Sequence, residues 1–380
     1  MAYQLSEDQR LIQETARAFA QNELRPNAGA WDERHEFPKA TIKSAAELGF
    51  GGIYVRDDVG GSGLGRLDAA LVFEELSRGC VTTAAFISIH NMAAWMIDTF
   101  GNEEQRQRWL PKLTSMDLMA SYCLTEPGSG SDASALRTTA RADGNSHYIL
   151  NGTKAFISGA PENDLYVCMV RTGDPGPKGI STVVVEKGTP GLSFGAQERK
   201  MGWNAQPTAQ VIFEDCRIPV ENRLNDEGFG FKIAMMGLDG GRLNIAASSL
   251  GGATDALERA LGYSQERQAF GKPIGDFQAT QFKLADMATE LEAARALLYE
   301  AARRLDAKDP EATKFCAMAK RFVTDAGFRV ANEALQIHGG YGYLKDYEVE
   351  RIVRDVRVNQ ILEGTNEIMR VIIARELSRH

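Results

Sequence analysis

The chain has 380 residues, enough for two or three domains, and a net charge of -8 from 51 acidic and 43 basic side chains. With 43% apolar and 25% charged residues and no apolar run of membrane-spanning length, it is neither a disordered polymer nor a membrane bundle. The absence of a basic block argues against nucleic acid as the main partner. Five dispersed cysteines predict reduced core thiols, and five histidines with no close pair make a metal site improbable.

The first eight residues already carry acidic charge, unlike a secretory signal or an Arg-rich transit peptide. We therefore do not expect export. A mature mitochondrial matrix form and a bacterial cytoplasmic protein both fit this start.

Residues 1–118 are predicted to form an N-terminal all-α domain. Ser6, followed by two acids, is a typical N-cap for a helix whose apolar residues Leu11 to Phe19 recur at helical spacing. The glycine-rich stretch 60–65 lacks the Lys-Ser/Thr ending of a phosphate-binding loop, so we interpret it as a flexible turn.

Residues 119–228 change to short β-branched and aromatic runs without intervening helices, which predicts an antiparallel sheet or barrel. The predicted strands include Tyr166–Val170, Ile180–Val185 and Ala209–Phe213. Asn151-Gly152 stands between two strand-like runs and predicts a hairpin turn.

Residues 229–380 return to helical periodicity. A stripe from Leu284 to Leu305 is apolar over six turns, and similar stripes cover 311–337 and 349–379. These stripes predict antiparallel helices packed as a four-helix bundle. The fold class is therefore α+β, with a helical domain, a β domain and a helical bundle in that order.

Four segments can carry chemistry, although each has an ordinary structural explanation. In Tyr122–Asp132, two glycines allow backbone to approach an anion or a flavin edge, or simply form a polar turn. The segment 336–343 ends a helix in a glycine cap, and we assign no role to its His338. Arg267 is able to hold a pyrophosphate through its planar guanidinium, or to be a solvated residue at a helix end.

The segment Ile361–Glu367 holds the strongest candidate for a general base. Glu363 follows two apolar residues, and a carboxyl group among apolar neighbours has a raised pKa that suits proton abstraction. The alternative is an exposed acid at a helix start. The sequence alone does not choose between Glu363 and Glu367.

Two long runs, YCLTEPGSGSD and QIHGGYGYLKDY followed by RDVRVNQILEGTNEIMR, resemble in order and context the paired motifs of the acyl-CoA dehydrogenases. The resemblance extends from Leu5 to Leu377. It implies a homotetramer with one FAD per subunit, an acyl-CoA substrate oxidised to the 2-enoyl-CoA, and an electron-transfer flavoprotein as electron acceptor.

The resemblance also implies individual roles. Glu363 matches the usual position of the catalytic base, and its backbone N–H would help to bind the thioester oxygen. One branch of the family carries the base on another helix, but the matching residue here is Gly241, which cannot act as a base. The implied substrate-binding residues are Ser131, Asp239, Gly240, Gly241, Arg242, Gly364 and Arg375.

The implied FAD contacts fall into two sets. The isoalloxazine and ribityl set comprises Tyr122, Leu124, Thr125, Gly130, Ser131, Phe156, Ile157 and Ser158. The set that reaches the adenosine pyrophosphate of a neighbouring subunit comprises Arg267, Phe277, Gln278, Gln336, Ile337, Gly339 and Gly340, with Thr365, Asn366 and Glu367 from the segment that follows Glu363.

Two features narrow the choice of acyl-CoA substrate. Leu362 stands where many straight-chain members have Tyr, and the small residues at 240 and 241 leave room for an α-methyl branch. The resemblance therefore implies a short branched-chain enzyme that converts isobutyryl-CoA to methacrylyl-CoA in valine breakdown. The alternatives are a 2-methylbutyryl-CoA or short straight-chain dehydrogenase. An acyl-CoA oxidase is disfavoured because such relatives are usually much longer. A non-catalytic helical binding protein would have lost the base or the flavin residues.

Overall fold

The computed structural model describes residues 5–378. Its N-terminal part is helical, as the sequence predicts. The helices are α1 (Glu7–Phe19), α2 (Ala28–Arg34), α3 (Lys39–Ala46), α4 (Arg66–Gly79), α5 (Val81–Phe100) and α6 (Glu103–Thr114). The Ser6 side chain accepts a hydrogen bond from Gln9 N, and the Gln9 side chain accepts one from Ser6 N, so the predicted N-cap of α1 is confirmed.

A β-sheet follows. Its strands are β1 (Ala120–Cys123), β2 (Thr139–Asp143), β3 (His147–Ser158), β4 (Leu165–Arg171), β5 (Ile180–Glu186), β6 (Leu192–Phe194), β7 (Thr208–Pro219) and β8 (Arg223–Leu224). The strand order is β6-β7-β3-β2-β4-β5-β8, with β1 beside β4. The pairings are antiparallel except that β1 and β2 each run parallel to β4, which the sequence did not predict.

The predicted hairpin turn at Asn151-Gly152 is wrong. Both residues lie inside the continuous strand β3, and the turn that begins this hairpin lies between Asp143 and His147. Gly152 serves a close approach, since a Cβ there would lie 2.6 Å from Thr138 Oγ1, and the register with β7 shifts at this point. The dipeptide signal therefore marks a strand irregularity.

The C-terminal part is a helical bundle. It consists of α7 (Gly230–Glu266), a small hairpin of β9 (Gln268–Ala269) and β10 (Lys272–Pro273), α8 (Gln278–Asp306), α9 (Ala312–His338), α10 (Val349–Arg357) and α11 (Asn366–Leu377). The predicted stripe on α8 is confirmed, because Met287, Leu291, Ala294 and Leu298 are buried. The predicted helix over 349–379 is two helices, α10 and α11, and the segment between them carries Glu363.

The five cysteines are all buried and unpaired, which agrees with the prediction of reduced core thiols. Within residues 5–378, the structure has no helix that is both long and apolar enough to cross a membrane.

Candidate active site

The candidate base lies on a short loop, residues 361–365, which we call the base loop. Two consecutive residues of this loop have left-handed backbone, with φ of 55° at Glu363 and 91° at Gly364. A non-glycine residue adopts this conformation at a cost of about 1–2 kcal/mol, so the surrounding contacts must hold it there. The Thr365 side chain accepts a hydrogen bond from Ile368 N at 3.3 Å and caps α11 directly after the loop.

The Glu363 carboxylate points into the protein. Both carboxylate oxygens are buried and have no hydrogen-bond partner among the described residues. They lie against the backbone of Gly241 on α7, where a Cβ would come within 2.3 Å of Oε2. Burial raises the pKa of Glu363 to about 7, although Arg242 and then Lys320 oppose that rise by favouring the charged form.

Glu367, the other candidate base, has a different environment. Its side chain is 81% exposed, and hydrogen bonds at the start of α11 lower its pKa. A solvated, weakly basic carboxylate is poorly suited to removing an α-proton. The geometry therefore favours Glu363, a choice that the sequence alone left open.

A buried lysine on α9 fixes the base loop. Lys320 Nζ donates to the Gly364 carbonyl at 2.8 Å and to Asn366 Oδ1 at 3.0 Å. Asn366 Nδ2 in turn donates to Asp325 Oδ1 at 2.7 Å and to Thr324 Oγ1 at 3.0 Å. The Asn366 amide is thus engaged within the chain and is not free to contact a cofactor in this arrangement.

The other face of the base loop contacts α7. Arg242 Nε donates to the Glu363 carbonyl at 3.3 Å, while its Nη1 donates to Asp239 Oδ1 at 2.7 Å. Asp239 also accepts a hydrogen bond from Thr313 Oγ1 at 2.7 Å. Asp239 and Arg242 are therefore neighbours of the base loop, and they form an ion pair of their own. Arg375 lies near the end of α11 with its side chain 57% exposed, beside Glu376.

The end of β1 forms the opposite side of the site. The Tyr122 hydroxyl is buried and has no partner among the described residues. Burial, and then the Glu363 carboxylate, raise the pKa of Tyr122 well above its ordinary range. The Tyr122 hydroxyl therefore lies near enough to the Glu363 carboxylate for the charge of Glu363 to affect it.

The turn after β1 is held by a buried ion pair. Lys154 Nζ, on β3, donates to Glu126 Oε1 at 2.8 Å and to the Leu124 carbonyl at 3.1 Å. Glu126 also accepts hydrogen bonds from the backbone N–H groups of Arg137 and Thr138. Because each charge has several partners, the pair fixes the turn firmly. Sequence reasoning missed Lys154, Glu126 and Lys320, since only the fold reveals that these charged residues are buried.

The residues predicted to contact the flavin ring surround this turn. Thr125 accepts a backbone hydrogen bond from Ala155, which brings β3 alongside. Phe156 has a φ of 58° and is 67% exposed, so a large aromatic ring stands free beside the turn. Ser131 and Gly130 are exposed, whereas the Ile157 side chain packs into the core of the sheet. Ile157 can therefore contribute chiefly backbone, whereas Ser158 is partly exposed.

These features fit a flavin. Within residues 5–378, the Tyr122 hydroxyl and the Glu363 carboxylate are buried polar groups without a hydrogen-bond partner, and Phe156 offers an exposed aromatic face. A Cβ at Gly128 or Gly130 would meet nothing within 4 Å, so backbone N–H groups there are open to a ligand. The donor set accordingly suits a planar, polar-edged cofactor.

The second predicted set of cofactor residues is divided by the structure: Thr365, Asn366 and Glu367 lie just after Glu363, and the others lie elsewhere in the chain. Arg267, Ile337, Gly339 and Gly340 line one cavity of about 350 Å³, together with Tyr263, Ile274, His338, Tyr341 and Leu344. The Arg267 guanidinium lies 5.5 Å from the centre of the Tyr341 ring. Phe277 and Gln278 begin α8 close by, and Gln336 is exposed near the end of α9.

The two sets stand at different places along α7. Gly241, under the base, is in the first third of this 37-residue helix, and Arg267 follows its last residue. At about 1.5 Å per residue, the two lie roughly 39 Å apart along the axis. One chain therefore holds two separate sites.

Comparison with known proteins gives a consistent assignment. Family models described as the N-terminal, middle and C-terminal domains of acyl-CoA dehydrogenase match residues 6–117, 121–216 and 228–378. The mitochondrial isobutyryl-CoA dehydrogenase of Dictyostelium discoideum is 58% identical over 99% of this chain and 90% of its own length.

Two solved structures align over the full length of both chains. The butyryl-CoA dehydrogenase of Megasphaera elsdenii is 39% identical, with a TM-score of 0.96. A structure described as the electron transferring flavoprotein of Acidaminococcus fermentans contains a chain 44% identical, with a TM-score of 0.97.

Proposed function

The chain belongs to the acyl-CoA dehydrogenases, a family of FAD-dependent oxidoreductases, and from this premise we propose that it oxidises isobutyryl-CoA to methacrylyl-CoA with Glu363 as the base. The observation that carries the proposal is the buried Glu363 carboxylate, without a hydrogen-bond partner among the described residues and facing Tyr122. The Dictyostelium relative supports the choice of isobutyryl-CoA as substrate, because it is named isobutyryl-CoA dehydrogenase and aligns with nearly the whole chain.

The chemistry requires a base beside the substrate Cα and a hydride acceptor beside Cβ. FAD, when bound along the β1 turn and Phe156, supplies the hydride acceptor. Glu363 removes the α-proton, and its pKa of about 7 means that the carboxylate is partly ionised at neutral pH while being far more basic than a solvated acid.

Negative charge then develops on the thioester oxygen and needs a donor. No described residue accepts a hydrogen bond from the Glu363 backbone N–H, so this group is free to donate to that oxygen. Lys320 donates a hydrogen bond to the Gly364 carbonyl, and Arg242 donates one to the Glu363 carbonyl. These bonds hold the backbone N–H and the carboxylate of Glu363 in a fixed geometry. The side chains that enclose the carboxylate exclude water from the proton transfer.

The second site suggests how the subunits share cofactors. We propose that Arg267 and the 336–340 turn bind the adenosine pyrophosphate of a neighbouring subunit's FAD in a homotetramer. Two observations support this proposal: the distance along α7 between Gly241 and Arg267, and the cavity beside Arg267. We propose an electron-transfer flavoprotein as electron acceptor, in keeping with the Acidaminococcus structure, and a mitochondrial matrix location, in keeping with the relative's name.

The test is anaerobic flavin reduction by purified protein. Isobutyryl-CoA should bleach the flavin absorbance, and kcat/KM should be higher for isobutyryl-CoA than for 2-methylbutyryl-CoA or butyryl-CoA. The Glu363→Gln variant should retain FAD and lose the rate of bleaching by about 10²–10⁴-fold. Near-normal bleaching in that variant would place the base elsewhere, and faster turnover of butyryl-CoA would assign the chain to straight-chain substrates.

A further inference from the structure

Arg66 is a buried cation that the reaction described above does not use. It is the first residue of α4, and its side chain is nearly covered, with 9% of the residue exposed. Arg242 is paired with Asp239, but the Arg66 guanidinium forms no ion pair with a carboxylate of residues 5–378. A buried charge without a counter-ion is costly, so its retention here calls for an explanation.

Two aromatic rings hold the guanidinium. Its central carbon lies 3.7 Å from the centre of the Tyr54 ring and 4.9 Å from the centre of the Trp95 ring. Cation–π attraction strengthens when the cation is desolvated, so these rings offset part of the cost of burial. Asp306 accepts hydrogen bonds from the backbone N–H of Arg66 at 2.7 Å and of Leu67 at 3.1 Å, which fixes the base of the side chain.

The guanidinium stands beside the catalytic carboxylate. A Cβ at Gly240 would lie 2.3 Å from Arg66 Nη1, and a Cβ at the next residue, Gly241, would lie 2.3 Å from Glu363 Oε2. Burial raises the pKa of Tyr54, and the Glu363 carboxylate adds to that rise. Tyr54, whose ring contacts Arg66, therefore also lies near the catalytic base. Arg66 and Glu363 thus lie against consecutive residues of α7.

We infer that Arg66, held flat on Tyr54 and Trp95, forms the end wall of the acyl pocket and is a specificity-determining residue that limits the acyl group to a short chain. This inference rests on the proposed function, because it places the substrate Cα beside Glu363. A longer aliphatic chain would have to push the guanidinium off both rings, and Gly240 leaves it no space to retreat.

The same contacts explain why Arg66 is a wall rather than a receptor for a carboxylate on the acyl group. The Tyr54 ring covers one face of the guanidinium, Trp95 lies beside it, and the backbone of Gly240 blocks the Nη1 edge. With 9% of the residue exposed, little of the guanidinium remains open for a bidentate ion pair.

The experiment compares Arg66→Ala with Arg66→Met, which keeps an unbranched side chain in place of the arginine stem and removes the charge. The measured quantity is the ratio of kcat/KM for hexanoyl-CoA to that for isobutyryl-CoA. We expect Arg66→Ala to raise this ratio by at least about tenfold and Arg66→Met to change it by less than about threefold. The matched control is Arg108→Ala, which removes a guanidinium 4.9 Å from the Trp109 ring and should leave the ratio unchanged.

Three results would overturn the inference. The first is an Arg66→Ala ratio equal to that of the wild type. The second is a wild-type enzyme that oxidises hexanoyl-CoA as well as isobutyryl-CoA, a measurement that needs no variant. The third is a wild-type preference for succinyl-CoA that Arg66→Met abolishes, since this would make the cation a carboxylate receptor. If no acyl-CoA bleaches the flavin, the proposed function fails instead.

Discussion

Replacing Glu363 by Gln tests the central electrostatic claim without requiring any substrate. The folded protein raises the pKa of this carboxyl group from 4.5 to about 7, so it binds the proton more tightly than the unfolded chain does. Wild-type stability should therefore fall as the pH rises through this window, by about 3.5 kcal/mol in all at about 1.4 kcal/mol per pKa unit. Gln does not titrate, so the variant escapes this loss.

The assay is urea unfolding of wild type and variant, followed by tryptophan fluorescence between pH 5 and pH 8. The stability of Glu363→Gln relative to wild type should increase by about 2.5 kcal/mol over that range, because pH 5 already lies above the unfolded pKa, and should level off above the folded pKa. Both proteins share every other titrating group, so the difference isolates residue 363. A difference that stays constant with pH would refute the account, because the carboxyl group would then titrate as it does in the unfolded chain.

Three further outcomes are expected. Gly241→Ala should lower kcat/KM for isobutyryl-CoA by about 10²-fold, because its Cβ would displace the carboxylate that lies 2.3 Å away; Gly262→Ala on the same helix meets nothing within 4 Å and should keep full activity. Lys320→Met should reduce the free energy of unfolding by about 1–3 kcal/mol, because it leaves the Gly364 carbonyl without its donor, and full stability in urea titrations would contradict that role. The wild-type kcat/KM should rise with pH to a plateau with an apparent pKa of about 7, whereas an inflection near 4.5 would indicate a solvated base.

Much of the fold could be predicted from local patterns. The apolar stripe predicted α8, and the Ser6 N-cap predicted the start of α1, because both features depend only on residues close in sequence. The hairpin prediction at Asn151-Gly152 was wrong for the opposite reason. The glycine there is required by Thr138, a contact that no local rule contains.

The candidate site shows the same division. The sequence singled out Glu363, but the choice against Glu367 needed the burial of one carboxylate and the exposure of the other. The roles of Lys320 and Arg66 could not be predicted, because a basic residue on a helix is usually solvated. Their burial arises from helices that meet only in the folded chain.

The contact between Gly241 and Glu363 has a consequence for how the chemistry of this scaffold can change. Only one carboxylate fits between the backbone of α7 and the base loop, since any side chain at 241 would collide with the one from 363. The catalytic base can therefore move from the base loop to α7 only through two simultaneous substitutions, Gly241→Glu and Glu363→Gly. Neither substitution alone is compatible with activity. Glutamate at 241 alone would place two carboxyl groups in a space that holds one, and glycine at 363 alone would leave the site without a base.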